Sequence, residues 1–242
     1  MSKSTCFLMI LLSLFFIAGS LYTQATPSIT RIVFCDVGQG SAVYIRTATG
    51  VDMLFDAGPS KLVMNCLGTY MPFYDKTIEY AFLSHGQHDH FGGFEYVLRH
   101  YNIDTFVTTS VIGEREDMSM MSNLVIKKKV HVEEMYSDET IFLSDTVSVR
   151  FWWPSRTLIS GRTFNNPDTH DPLGKKKTYG DLNDFSQVLL FSEGEFDLII
   201  TGDVTPEALM LLQSSVLLPD INYEVLQVPH HGSKNGLTES FL

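Results

Sequence analysis

Apolar runs and periodic segments alternate along the chain with short clusters of turn-forming residues. Predicted strands cover 30–37, 42–47, 51–55, 78–83, 104–109, 130–135, 140–143, 147–153, 186–191, 196–200 and 223–228. Predicted helices cover 94–101, 115–129 and the segment that begins at Thr205 and Pro206, while 61–74 is expected to be helical in part. Strand-rich and helix-rich runs alternate twice, which predicts an α+β fold, a four-layer αββα sandwich with helices outside two sheets.

The segment 155–184 breaks this pattern, because it holds Gly, Pro, Asn, Asp and Lys with little periodicity. We expect a long loop, and loops of this length are usually functional or disordered. It carries Lys175, Lys176 and Lys177. These lysines are interpreted either as part of a solvated loop or as a clamp on a phosphate backbone in an otherwise acidic chain.

The first 25 residues are interpreted as a targeting segment. Lys3 is their only charge, an apolar run covers 7–21, and Thr23-Gln-Ala25 has the small-x-small form of a cleavage site. Because a full membrane span needs about 20 apolar residues, a cleaved signal peptide is preferred and an uncleaved N-terminal anchor is the alternative. Both alternatives place the predicted domain 26–242 outside the cytoplasm, secreted or periplasmic, with the membrane reached only through this segment.

Composition favours one globular domain, since 44% of the 242 residues are hydrophobic and 12% are aromatic. The net charge of −11 excludes broad electrostatic adhesion to DNA or anionic lipid. A polyanionic partner would have to be attracted by metal ions or by a local basic patch. Cys35 lies in a predicted apolar strand and is expected to be a buried thiol, with a Cys35–Cys66 bridge as the alternative.

The densest group of histidine and carboxylate side chains lies at 84–93, which reads Ser-His-Gly-Gln-His-Asp-His-Phe-Gly-Gly. Three histidines and an aspartate fall within six residues, between a predicted strand and a predicted helix. This density is typical of metal ligands on a loop, and the alternative is a polar surface loop that happens to be rich in histidine. Asp203, His230 and His231 also follow predicted strands, and strand ends at one edge of a sandwich can meet around one ion or two. Single histidines at 100, 131 and 170 are expected to have ordinary roles.

These residues resemble the His-x-His-x-Asp-His signature of the metallo-β-lactamase superfamily, with His85, Asp89 and His90 matching and Gln87 replacing the second histidine. Three further segments resemble the metallo-β-lactamase-like domain of ComEC-type competence DNA-uptake proteins. They are Asp36-Val-Gly-Gln-Gly40, Thr201-Gly-Asp203 and Val228-Pro-His-His-Gly-Ser233. The four motifs keep their order over 30–242, and the superfamily has the αββα fold that the hydrophobic pattern predicts.

The resemblance implies a site for two divalent ions. Asp203 would bridge the two ions, and a histidine of the pair His230 and His231 would join Asp89 and His90 at the second ion. Asp89 and His90 are accordingly the predicted catalytic residues. The ions would activate a water molecule, so no serine or cysteine nucleophile is needed.

The first ion site departs from the family pattern. His85 is present, but Gln87 and Asn183 stand where zinc hydrolases of the superfamily carry histidine. Amide oxygens are harder ligands than imidazole, which favours Mn²⁺ and leaves Zn²⁺ or Mg²⁺ as alternatives. Ser41 also departs, because relatives generally carry Asp after the Gly-Gln-Gly turn. The chain ends at Leu242, where relatives continue to a further histidine, so the domain is expected to be C-terminally incomplete.

The leading hypothesis is an exported, metal-dependent phosphodiesterase or DNase of the ComEC type, with single-stranded DNA as substrate. One alternative is a metallo-hydrolase of a lactone, thioester or β-lactam, which zinc preference would favour. The other is a degenerate, non-enzymatic metal-binding domain, which Gln87 favours. The residues expected to contact substrate are Gln39, Lys175, Lys176, Lys177 and Ser233. The sequence identifies no protein partner.

Overall fold

Strands and helices alternate through residues 3–25, 29–112, 117–165, 172–178, 180–215, 222–234, 236–237 and 241, which are described in a computed structural model. The helices are α1 (Lys3–Ala25), α2 (Val63–Tyr70), α3 (His88–Phe91), α4 (Phe94–His100), α5 (Asp117–Lys128), α6 (Arg156–Arg162) and α7 (Pro206–Ser215). The strands are β1 (Arg31–Phe34), β2 (Val43–Arg46), β3 (Asp52–Phe55), β4 (Thr77–Phe82), β5 (Asn102–Thr108), β6 (Val111–Ile112), β7 (His131–Glu134), β8 (Thr140–Phe142), β9 (Val147–Trp153), β10 (Thr163–Asn165), β11 (Lys176–Thr178), β12 (Val188–Glu193), β13 (Phe196–Ile200) and β14 (Val225–Leu226). A 3₁₀ turn covers Leu182–Phe185, and a short turn covers Pro229–Gly232.

Two mixed sheets form the centre of the structure. The first has the strand order β1-β2-β3-β4-β5-β7, antiparallel through the β1–β3 meander and parallel from β3 onward. The second has the order β14-β13-β12-β9-β8 and is antiparallel except for the β13–β14 pair. The predicted meander and the predicted hairpin of β12 and β13 are therefore confirmed.

Apolar side chains fill the space between the two sheets. Phe55 and Phe82 of the first sheet stack with ring centroids 4.2 Å apart, and Phe151 of the second sheet packs against them. The outer face of the first sheet is covered by α2, α4 and α5, and that of the second by α7. Each buried large apolar side chain contributes about 1.5–3 kcal/mol. The four layers are those of an αββα sandwich, as the sequence predicts.

Part of 155–184 is ordered, so the prediction of one long loop is wrong for its described residues. Ser155 caps α6, since its Oγ accepts a hydrogen bond from Leu158 N at 3.1 Å. β11 pairs with β10 and, in parallel, with β6, giving a small third sheet. The partner strand β6 is distant in the sequence, so local periodicity carries no signal of this pairing. Residues 166–171 and 179, and with them His170, lie outside the described residues.

A disulfide joins Cys35, directly after β1, to Cys66 on α2, with the Cα atoms 5.7 Å apart. The expectation of a buried free thiol at Cys35 is therefore wrong, and the bridge that was its alternative is present. The packing of α2 against the first sheet brings the two residues together, which two isolated cysteines in a sequence do not reveal.

Reducing this disulfide is expected to lower the free energy of unfolding by about 3–4 kcal/mol, because the bridge closes a loop with a sequence separation of 31. Urea denaturation with and without reductant measures the difference. A variant with both Cys35→Ala and Cys66→Ala is the control, and its midpoint should not respond to the reductant. Equal wild-type midpoints under both conditions would contradict the bridge.

Helix α1 covers most of the predicted targeting segment, and large side chains such as Phe15 and Phe16 are exposed on it. The role of 1–25 as a signal peptide or anchor stays a prediction. Among the helices described, none combines the length and the apolar character that a membrane span requires.

Candidate metal centre

Four loops that follow strands meet at one edge of the sandwich. β3 leads into Asp56, β4 leads into Ser84 and His85, β13 leads into Asp203, and β14 leads into the turn with His231. Polar side chains at strand ends point from a rigid scaffold into a common space, which is why sites form at such edges.

Four of the predicted ligands converge here. One ligand atom from each of Asp89, His90, Asp203 and His231 lies within 4.8 Å of the others. Asp203 Oδ1 is 3.2 Å from His90 Nε2, and Asp203 Oδ2 is 3.1 Å from His231 Nε2. His231 Nε2 is also 3.3 Å from Asp89 Oδ2. His90 and Asp203 are buried while His231 is exposed, so the group opens to solvent on one side.

The turn after β14 selects His231 rather than His230. Both residues have left-handed φ values, 54° and 53°, and the backbone of His230 donates to Gly202 O at 3.1 Å. Non-glycine residues in this region cost on the order of 1–3 kcal/mol each, so the surrounding structure must hold them. The turn brings the His231 ring to 5.3 Å from the His90 ring, and His230 stays outside the four-residue group.

Of the residues predicted for a first ion, His85 lies beside this group. The ring of His85 is 4.2 Å from that of His90, and both rings are buried. Gln87 precedes α3, where its carbonyl accepts hydrogen bonds from the His90 and Phe91 amides. Asn183 is buried in the 3₁₀ turn.

Several predicted ligands have a buried polar atom without a hydrogen-bond partner. Within the described part of the chain, His85 Nε2, His90 Nε2, Asn183 Oδ1 and Asp203 Oδ1 have no hydrogen-bond partner. His90 Nε2 and Asp203 Oδ1 form an ion pair at 3.2 Å, without the geometry of a hydrogen bond. Each unsatisfied buried polar atom costs about 1–3 kcal/mol. Imidazole nitrogens and carboxylate or amide oxygens are metal ligands, so these residues fit divalent cations.

Asp56 is a site residue that the sequence analysis missed. Its Oδ2 accepts hydrogen bonds from His90 Nδ1 at 2.7 Å and from Ser84 Oγ at 2.8 Å, and its Oδ1 accepts one from Ser84 N at 2.8 Å. Carboxylates in this position fix the orientation and tautomer of a metal-binding histidine. Asp56 follows β3 directly, as Asp203 follows its own strand closely, and that shared position was the available signal.

The electrostatics of the group favour a positive charge inside it. Burial alone lowers the pKa of His90, but Asp56 and Asp203 raise it to about 10. The carboxylates of Asp203 and Asp89 raise the pKa of His231 to about 9. Burial opposes ionisation of Asp203, yet the two histidines hold its pKa well below the usual range. Burial lowers the pKa of His85 to about 3, so His85 is neutral. Protons and a divalent cation therefore compete for the same atoms.

Gln227 ties three loops of the site together. Its Oε1 accepts from Thr201 N at 3.0 Å and from Gly202 N at 3.3 Å, and its Nε2 donates to Ser41 Oγ at 2.9 Å. Ser41 N in turn donates to Asp89 O at 3.2 Å. The residue after the Gly-Gln-Gly motif thus supports the site, because Ser41 donates to Asp89 through its backbone and accepts a hydrogen bond from the amide of Gln227 through its side chain.

The predicted substrate residues lie outside the four-residue group. Gln39 and Ser233 are exposed. Lys176 and Lys177 belong to β11, and Lys175 Nζ forms an ion pair with Glu134 Oε1 at 2.9 Å. The lysine patch is therefore part of a small sheet and not of an unstructured loop.

An αββα sandwich with a His/Asp group at the strand ends is the architecture of the metallo-β-lactamase class. A profile of the metallo-β-lactamase superfamily matches residues 35–242, so the chain belongs to this superfamily of metal-dependent hydrolases. The chain is also similar to ComE operon protein 3 of Bacillus subtilis (strain 168), with 24% identity over 225 residues, which supports the ComEC-like resemblance. The match covers 86% of this chain and 26% of that protein, so the chain spans about a quarter of the relative's length.

Two solved structures are also similar. The metallo-β-lactamase fold protein YhfI from Bacillus subtilis has a TM-score of 0.43 and 14% identity, over 73% of this chain and 62% of that chain. Zn²⁺-bound PqqB from Methylobacterium extorquens has a TM-score of 0.45 and 12% identity, over 74% of this chain and 67% of that chain.

Proposed function

We propose that this protein is an exported, metal-dependent phosphodiesterase that cleaves single-stranded DNA. The observation that carries the proposal is the convergence of Asp89, His90, Asp203 and His231 at an open edge of the sandwich. The order of the four motifs and the similarity to ComE operon protein 3 support a DNA substrate.

The side chains of this site have distinct tasks. Asp56 orients His90 through Nδ1, which leaves Nε2 directed toward Asp203. Asp203 presents one oxygen to His90 and the other to His231, which supports a role at the ion that these two histidines would hold. Its proposed role as the carboxylate that bridges both ions rests on the resemblance of the Thr201-Gly-Asp203 motif. Asp89 and His231 form the solvent-facing side, where substrate enters. When bound, divalent ions lower the pKa of a coordinated water and neutralise phosphate charge.

Two ions are proposed, with Mn²⁺ favoured over Zn²⁺ and Mg²⁺. Asp89, His90, Asp203 and His231 would hold one ion, and His85, Gln87 and Asn183 would join Asp203 at the other. The amide oxygens of the second set are harder ligands than imidazole, which is the basis for the Mn²⁺ preference.

Basic groups have a limited proposed role. Lys175, Lys176 and Lys177 are proposed to contact flanking phosphates, and Gln39 and Ser233 to line the approach to the site. The ion pair of Lys175 with Glu134 reduces the charge available to DNA. Because only these three lysines are proposed to contact phosphates, we expect only a modest dependence of binding on salt.

Export is proposed from the first 25 residues, as a cleaved signal peptide or an N-terminal anchor. The Cys35–Cys66 disulfide supports this localisation, because structural disulfides persist mainly in oxidising compartments.

Incubation of the full chain with a labelled single-stranded oligonucleotide tests the proposed activity. We expect cleavage that requires added metal and is faster with Mn²⁺ than with Zn²⁺. Asp89→Ala should lower kcat/KM by more than about 100-fold, because loss of a ligand should cost more than loss of an outer partner. The matched control is Asp145→Ala, which removes an exposed carboxylate in the turn between β8 and β9.

The same preparation distinguishes other activities. Hydrolysis of a lactone or a β-lactam with DNA left intact would replace the phosphodiesterase proposal by another metallo-hydrolase. Metal binding without cleavage of any of these substrates would favour a non-enzymatic domain. Equal activity of Asp89→Ala and the unmodified chain would contradict the proposed metal centre.

A further inference from the structure

A cavity of about 280 Å³ opens directly beside the four-residue group. Asp203 and His231 form one wall, so the cavity and the proposed metal centre share two side chains. The remaining walls come from the Gly40–Ala42 segment, from Gly202 and Gln227, and from the rim residues Phe34 and Val228. A ligand group placed here would adjoin a phosphate bound at the proposed metal centre.

The walls of this cavity are held in place on every side. A Cβ at Gly40 would lie 2.4 Å from Asp89 O, so the Gly-Gln-Gly turn packs directly against the backbone of a proposed ligand. Gln227 Nε2 donates a hydrogen bond to Ser41 Oγ, which is distant in the sequence. The Cys35–Cys66 disulfide anchors the residue next to Phe34. Such a cavity is formed before substrate arrives, which lowers the entropic cost of binding.

The chemistry of the cavity suits a flat, uncharged group. Phe34 is 51% exposed and Val228 is 46% exposed, so the rim presents two large apolar side chains to solvent. Ser41 and Gln227 are hydrogen-bonded to each other, so the part of the wall that they form carries no charge. Apart from His231, which belongs to the proposed metal centre, the described residues that line the cavity include no cationic side chain, so a second phosphate has no partner there.

We infer that this cavity is a subsite for the nucleobase next to the scissile phosphate, with Phe34 as its stacking platform. The inference rests on the proposed phosphodiesterase function and specifies how that site holds its substrate. The volume is near the lower limit for small-molecule sites and matches one base rather than a larger ligand. Every base has an aromatic face, so stacking on Phe34 binds single strands with little sequence preference.

Phe34→Ala is expected to raise KM for oligothymidylate by about 5- to 150-fold, since stacking on one aromatic side chain contributes about 1–3 kcal/mol. Phe34→Trp should keep the KM of the unmodified chain. Phe142→Ala is the matched control, because Phe142 is 77% exposed on β8 and does not line the cavity, and its KM should not change. Metal content should be equal in all three variants.

An abasic sugar–phosphate strand separates the subsite from the activity itself. The unmodified chain should cleave oligothymidylate with a lower KM than the abasic strand, and Phe34→Ala should cleave both with the same KM. Cleavage of both strands with equal KM by the unmodified chain would overturn the subsite while leaving the phosphodiesterase standing. Absence of cleavage of either strand would instead count against the proposed function.

Fluorescence gives a readout that does not depend on turnover. Trp152 and Trp153 are buried, so a tryptophan introduced by Phe34→Trp is the solvent-facing reporter among the described residues. A phosphorothioate oligothymidylate added to the metal-loaded variant should quench this emission, and an abasic strand should quench it far less. Equal quenching by both strands would reject the stacking platform.

Discussion

Replacing Asp203 by alanine should abolish stable metal binding and reduce phosphodiester cleavage by more than about 100-fold. Asp203 presents one carboxylate oxygen to His90 and the other to His231, at 3.2 Å and 3.1 Å. Its replacement therefore removes the carboxylate that both histidines contact. The effect should exceed the roughly 10- to 100-fold cost of removing an outer partner of a metal ligand. Elemental analysis after dialysis against Mn²⁺ measures the bound metal, and oligonucleotide cleavage measures the activity.

Folding must be followed in the same variant, because Asp203 is buried between two histidines. Removing one partner of a buried charged group costs about 3–5 kcal/mol when the others stay charged. Circular dichroism should therefore show a folded but less stable domain. Asp197→Ala, on the strand that leads to Asp203, is the control and should retain its metal. Undiminished metal content in Asp203→Ala would contradict the proposed bridging role.

Asp56→Asn should weaken Mn²⁺ binding by about 10- to 100-fold although Asp56 does not belong to the four-residue group. The carboxylate accepts from His90 Nδ1 and from both donors of Ser84, and an amide has only one oxygen for these three hydrogen bonds. The imidazole then loses its fixed orientation and part of its basicity. Titration of the metal-free protein with Mn²⁺ in competition with a chelator gives the affinity directly.

Asp138→Asn provides a matched control for that substitution. Asp138 has a left-handed φ of 71°, close to the 57° of Asp56, so both positions test whether asparagine is tolerated in this backbone conformation. Asp138 lies outside the metal centre, and its replacement should leave the affinity unchanged. If Asp56→Asn bound Mn²⁺ as tightly as Asp138→Asn, Asp56 would have only a structural role.

Much of the fold could be predicted from the sequence because its information is local. The two-residue period of strands and the 3.6-residue period of helices depend on neighbours within a few positions. The meander β1–β3, the hairpin of β12 and β13 and helices α4, α5 and α7 were all predicted within a few residues. The motif that contains Asp89 and His90 is local in the same way, since its residues share one loop and one short helix.

Contacts between distant segments were decided by the tertiary structure. Asp56 lies 34 residues from His90, and no local pattern pairs them. Gln227 reaches Ser41 over 186 residues, and the pairing of β11 with β6 depends on how the layers pack. The Cys35–Cys66 bridge has the same origin, because the packing of α2 on the first sheet sets the distance between the two cysteines.

The choice between His230 and His231 shows most clearly what the sequence and the tertiary structure each determine. The sequence alone determined that a histidine pair follows a strand and resembles a metal-binding motif, because residue type and order are properties of the sequence itself. It could not determine which ring faces Asp203, because that direction depends on two left-handed residues and on the hydrogen bond from His230 N to Gly202 O. Side-chain direction in a turn follows from backbone dihedrals that only the surrounding structure can hold in place.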